Sequence, residues 1–233
     1  MLRLTTHEVT SECIIMNDSA TISIVSDAGV GRTTVIIAES GRYANLASAV
    51  AAALGGQRRI LALNCSSISV HNYDELTSKV LDTLSNCGVR QAQFVGLGSA
   101  SALVQNVALQ SPKMVRSMVV VDASMRPHPT RAERVLDTIE RGLPFGLPLR
   151  LTPLGFNVRA FAHRLRCPIL LVASDRSSVF IRRELRELSY KAPTAWYMDI
   201  SNTKDQVGEI VSLIGAFQEI PAKSPQKNLQ VAL

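Results

Sequence analysis

What most limits the fold of this chain is a set of short apolar runs with no polar side, of which Met118-Val119-Val120-Val121 is the plainest. A strand with one solvated face alternates apolar and polar residues, whereas a strand covered on both faces does not. Thr33-Thr34-Val35-Ile36-Ile37-Ala38 is rich in β-branched residues and too short for a typical helix. The runs Arg59–Leu63, Gln93–Gly96, Pro168–Val172 and Ala195–Met198 read the same way. Between them the apolar residues fall at helical spacing. One helix carries Leu46, Ala49, Val50, Ala53 and Leu54, with Asn45 as its expected cap and Gly55-Gly56 as its stop. Others are expected over Tyr73 to about Asn86, over Ala102 to Gln110 before Ser111-Pro112, over about Val179 to Leu188, and around Val207, Ile210, Val211, Ile214 and Phe217. Strands alternating with helices predict an α/β fold: a mostly parallel central sheet with helices on both faces.

Two segments depart from that rhythm. Glu12–Met16 and Thr21–Val25, separated by Asn17-Asp18-Ser19, read as a hairpin and predict an antiparallel start. Residues from about 124 to 166 carry five prolines and one well-signalled helix, with Thr130 and Glu133 at capping-box spacing and an apolar stripe through Ala132, Val135, Leu136, Ile139 and Leu143. Residues 1–220 are expected to form one domain with this insertion inside it, and 221–233 a flexible tail.

Bulk properties narrow the function classes. A chain of 233 residues, 46% hydrophobic, can bury a sizeable core. No run approaches the ~18 apolar residues that cross a bilayer, and Met1–Glu8 lacks the apolar stretch of a signal peptide, so a cytoplasmic protein is expected. Cys13, Cys65, Cys87 and Cys167 are widely spaced, which suits reduced thiols better than a disulfide frame or a zinc site. The net charge of +6 is uneven: between Ala123 and Arg166 eight arginines face Glu133, Asp137 and Glu140. That surplus would suit an acidic partner, although arginines on helix faces are commonly just solvated; nucleic acid is not expected.

The segment that bears on chemistry is Phe94-Val95-Gly96-Leu97-Gly98-Ser99-Ala100, between an apolar strand and an apolar helix. Together with Ser111–Asp122 and Cys167–Val172 in this order, it resembles the α/β-hydrolase family over roughly Thr21 to Phe217. The resemblance implies a cleft at the carboxyl edge of the sheet, with residues 124–166 where that family places its lid. It also implies a G-x-S-x-G turn that lifts a serine into the cleft, a histidine base, a carboxylate that orients it, and backbone donors for the oxyanion.

Residue by residue, the match departs at the nucleophile, the histidine and the oxyanion segment. Gly98 stands at the nucleophile position, and Ser99 beside it is expected to point its hydroxyl elsewhere. Asp199-Ile200-Ser201-Asn202-Thr203, where the histidine would follow the last strand, contains none. The histidines are His7, His71, His128 and His163. Asp175 matches the acid, with Asp122 as a second possibility, and Glu39-Ser40-Gly41 stands near the family's oxyanion segment. Ionised, Glu39 would oppose an oxyanion rather than stabilise it.

Two rival motifs are weaker. Ala28-Gly29-Val30-Gly31-Arg32-Thr33-Thr34 resembles a phosphate-binding loop, but Arg32 replaces the lysine, and a strand follows where the loop must open into a helix. A glycine turn between antiparallel strands is the plainer reading. Gly96-Leu97-Gly98-Ser99-Ala100-Ser101 lacks the third glycine of a dinucleotide fingerprint. No metal-ligand spacing and no cofactor motif is present. The sequence therefore predicts a catalytically degenerate α/β-hydrolase-like protein, arguing against ordinary serine-hydrolase activity, that binds a small molecule or a protein partner. Its candidate cleft is Glu39, Ser40, Gly98, Ser99, Asp122, Asp175 and Asn202. The alternative is an enzyme of unusual mechanism, a lyase, cyclase or hydrolase, using Glu39, Ser99 or Asp175, since enclosed carboxylates can move protons without a histidine.

Overall fold

The computed structural model describes residues 21–41, 43–56, 58–65, 68, 73–123, 161–175, 177–200 and 204–219. Its strands are β1 (Ile22–Ala28), β2 (Thr33–Glu39), β3 (Arg59–Cys65), β4 (Ala92–Leu97), β5 (Val115–Val121), β6 (Ile169–Ala173) and β7 (Ala195–Asp199). They form one seven-stranded sheet in the order β1-β3-β2-β4-β5-β6-β7. β1 pairs antiparallel with β3, from Ile22 opposite Cys65 to Ala28 opposite Ile60, and every other pairing is parallel.

The helices are α1 (Ala44–Leu54), α2 (Tyr73–Asn86), α3 (Ala100–Gln110), α4 (Val179–Lys191) and α5 (Gln206–Glu219), with a short 3-10 turn at Ala162–Arg164. The strands β2 to β7 feed both faces, whereas the edge strand β1 turns only Ile22 and Ile24 inward. Val35, Ile37, Phe94, Met118 and Val120 pack with Leu76 and Val80 of α2, Leu103 of α3 and Leu185 of α4. Their neighbours Ile36, Val95, Val119 and Val121 pack on the other side with Val50 of α1 and Ile210 and Ile214 of α5. Two cores share one sheet, which is why the strands show no polar alternation. Trp196 closes the second core edge-on to Phe217, with ring centroids 5.5 Å apart.

Two sequence expectations need correction. Asn45 does not cap α1: the chain enters the helix through a turn in which the Ala44 N–H donates to the Gly41 carbonyl (3.2 Å), so Tyr43 is the cap and Asn45 falls inside the first turn. α3 begins at Ala100, two residues early, because Ser101 and Ala102 donate to the carbonyls of Gly98 and Ser99 (both 3.1 Å). The turn at Gly29–Arg32 joins antiparallel strands as expected, with β3 lying between β1 and β2, so it passes over the start of β3, where the Arg59 N–H meets the Arg32 carbonyl at 3.2 Å. The first half of the expected hairpin, the helix at 130–143, the bulk of the insertion and the tail lie outside the described residues.

Candidate functional site at the carboxyl edge of the sheet

The parallel strands end together, which brings Glu39, Gly98, Asp122 and Ser174 to one edge. β4 passes into α3 through Gly98 and Ser99 alone. Gly98 has φ +61°, and its N–H donates to the Val121 carbonyl at 2.8 Å. Helix and strand touch backbone to backbone at Gly96, where a Cβ would lie 2.7 Å from Ser101 Cα. The sharp strand-to-helix turn anticipated from the sequence is therefore formed, with left-handed backbone at its apex.

The space above that apex is filled. A Cβ on Gly98 would fall 2.3 and 2.5 Å from two carbons of the Tyr43 ring. Tyr43 is only 9% exposed, and its hydroxyl donates to Asp122 Oδ2 at 3.2 Å. Asp122, 2% exposed and at φ +52°, also accepts from the Ser174 N–H (2.8 Å), the Ser174 hydroxyl (2.6 Å) and the Ser177 hydroxyl. Four neutral donors thus converge on one buried carboxylate, the arrangement that keeps such a group satisfied inside a protein. The network ties the start of α1 to the β6–α4 connection across the elbow.

Glu39, the last residue of β2, accepts from the Ile68 N–H at 3.1 Å and from the hydroxyl of Ser99. Ser99 is 2% exposed, so its hydroxyl turns inward to this carboxylate. Ser40 directs both its N–H and its hydroxyl to the Cys65 carbonyl, each at 2.9 Å. Burial, and secondarily the Glu39 charge, push the Cys65 thiol up to about 12.

These contacts bear on chemistry. Two charges ~4 Å apart interact by about 1 kcal/mol in water and about 4 kcal/mol near a protein surface. One oxyanion-hole donor supplies roughly 3–4 kcal/mol. An ionised Glu39 beside the elbow would therefore offset about one such donor, and the Ser40 amide is already engaged.

The remaining candidates are not drawn into this cluster. Asp175 is exposed. β2 and β6 are three strand spacings apart, roughly 14 Å, so Glu39 and Asp175 do not meet directly. Asp199 accepts from the Tyr197 hydroxyl at 3.2 Å and lies 3.8 Å from Arg182. Asn202 lies outside the described residues, as do His7, His71 and His128; His163 is exposed in the turn ahead of β6. Among the described residues no group of three metal-ligating side chains forms, Cys65, Cys87 and Cys167 are free thiols, and no helix is long and apolar enough to cross a membrane. Tyr43, Ser174 and Ser177 escaped the sequence reading. The one available hint was the serines flanking Asp175.

No protein-family model and no curated protein matches the sequence. Solved structures match the fold. A hydrolase from Pseudomonas aeruginosa superposes with a TM-score of 0.68 at 16% identity, covering 91% of this chain and 100% of the other. A thermophilic esterase from Thermogutta terrifontis gives 0.69 at 12% identity over 89% and 98%, and an enol-lactonase from Burkholderia xenovorans 0.65 at 12% over 85% and 96%. The chain has an α/β-hydrolase-like fold; at these identities the likeness speaks for the fold alone.

Proposed function

We propose that this chain is a catalytically degenerate α/β-hydrolase-fold protein that works by binding a small molecule or a protein partner rather than by acyl transfer. The observation that carries the reading is the Tyr43 ring 2.3 Å from where a side chain on Gly98 would begin. A nucleophile has neither an atom to attach to nor room to stand. The inward hydrogen bond of Ser99 to Glu39 and the absence of histidine from 199–203 support it from independent positions. The arginine surplus of 124–166 would suit an acidic partner in such a role.

A fluorophosphonate probe and a panel of p-nitrophenyl esters test the proposal, with an active esterase of the same fold as positive control. The expected result is no covalent labelling and no turnover above buffer. Labelling at Ser99 would overturn it.

A second reading rests on the Ser99–Glu39 contact: an enzyme in which this pair moves a proton. Esterase and lactonase neighbours make esters and lactones the substrates to try. That reading requires a turnover lost in both Glu39→Gln and Ser99→Ala.

A further inference from the structure

The opposite edge of the sheet carries a different kind of chemistry. From Glu39 back to Thr33, β2 runs six residue steps, roughly 20 Å, to a cavity of about 230 Å³ lined by Gly31, Arg32, Thr33, Gln93, Arg116 and Ser117, among others. Arg32 enters from the Gly29–Arg32 turn and Arg116 from β5, with the start of β4 between them.

The placement of Arg116 is not a by-product of regular pairing. Ala92 stands opposite Val115 and Gln93 opposite Ser117, so Arg116 is an extra residue with no partner on β4. Bulges are rare between parallel strands, and where they occur they re-aim a side chain or end the pairing. Here the bulge sets an arginine at the rim of the cavity in the interior of a seven-stranded sheet.

Beneath the two arginines the lining is polar where the sheet is otherwise apolar. Of the lining residues, Gln93 and Ser117 stand opposite each other on β4 and β5, 2% and 5% exposed, and Thr34 on β2, behind the lining and 0% exposed, continues the same row. Two residues further along the strands, the same face carries Ile36, Val95 and Val119. Gln93 reaches the Ile214 carbonyl with its amide nitrogen at 3.4 Å. The neighbouring Arg59 is neutralised by Asp27, at 2.7 and 2.8 Å; Arg32 and Arg116 are exposed and form no ion pair among the described residues.

Two guanidiniums flanking one strand, a polar floor and no carboxylate among the described lining residues suit a compact oxyanion, because planar forked donors match tetrahedral or carboxylate oxygens two at a time. We infer that the amino edge of the sheet binds a phosphate group, as inorganic phosphate or as the phosphate of a small monoester, between Arg32 and Arg116. The glycine turn takes part through Arg32, without the helix that a nucleotide-binding loop requires.

Titration of the full chain at low ionic strength, followed by the thermal midpoint and by calorimetry, tests this with inorganic phosphate and glycerol phosphate as probes and sodium chloride at matched ionic strength as control. Saturable stabilisation by either phosphate, absent with chloride, is expected; the stronger of the two identifies the source. Arg32→Gln and Arg116→Gln should each weaken binding about tenfold, the loss of a charge-assisted hydrogen bond. Gln91→Glu, an added negative charge at an exposed lining residue, should weaken it as well. Lys79→Gln on α2 should leave it unchanged. Absence of saturable binding by both probes, or equal binding by the Arg32→Gln/Arg116→Gln double variant, would overturn the inference. The fluorophosphonate outcome is independent of either result.

Discussion

The two edges of the sheet are built on opposite rules. At the carboxyl edge the acceptors are answered from within: Asp122 by Tyr43, Ser174 and Ser177, and Glu39 by Ser99 and Ile68. At the amino edge Arg32 and Arg116 stand exposed around a polar floor with no carboxylate partner among the described residues. A fold can keep the backbone of a reactive turn while the side chains around it close on one another, because the turn is fixed by strand–helix packing and the chemistry by a few atoms above it. The difference teaches that the edge expected to act is self-satisfied, and that unanswered charge lies about 20 Å away.

Gly98→Ser is the hardest blow to the closed edge. It forces left-handed backbone on a residue with a side chain, roughly 1–2 kcal/mol, and drives Oγ and Cβ into the Tyr43 ring, an overpacking cost of about 1–3 kcal/mol. The expected loss, measured by urea unfolding, is about 3 kcal/mol. In a Tyr43→Ala background the steric share should vanish, giving a coupling of about 1–3 kcal/mol in a double-mutant cycle. Additive effects would mean that the ring moves aside freely and the elbow is not plugged.

Cys65 sharpens the comparison through pH. Its thiol is raised to about 12 in the folded chain by burial and by Glu39, against about 8.5 unfolded. A group raised on folding gives stability that is complete below the unfolded value and is lost as pH climbs toward the folded one, since the unfolded chain releases its proton first. Between pH 8.5 and 12 the native state should therefore weaken, by about 1–2 kcal/mol at pH 9.5 for this thiol. The readout is the difference in pH slope between wild type and Cys65→Ala. Identical slopes would show that the Cys65 and Glu39 surroundings are wet rather than enclosed.

The strands were legible because burial on both faces leaves an uninterrupted signature, as in Met118–Val121, and the position of Gly98 was legible because so tight a turn admits only small residues around it. Tyr43 was not legible. It lies 55 positions from Gly98 and 79 from Asp122, and nothing in Gly41-Arg42-Tyr43 announces a ring laid over the elbow. Arg116 was missed for a related reason: the strand was read as starting at Met118, because a bulge is a property of two strands and leaves no mark on one. Asp122 illustrates an intermediate case. Its place at a strand end drew notice from sequence, whereas its four donors come from two distant segments that only the topology assembles.

Tyr43→Phe carries the smallest expected effect and discriminates most finely. The ring, and with it the plug above Gly98, is kept; one of the donors to Asp122 is removed. Asp122 retains Ser174 and Ser177, so the carboxylate is not orphaned, and the cost should be that of one neutral donor to a charged acceptor at 3.2 Å, about 1 kcal/mol. Ester turnover and probe labelling should stay absent in this variant, since the obstruction is the ring rather than its hydroxyl. Were Tyr43→Phe to cost several kcal/mol, the hydroxyl–carboxylate contact would be the principal tie between α1 and the β6–α4 connection. Packing over Gly98 would then be its consequence, and the order of cause at the carboxyl edge would have to be reversed.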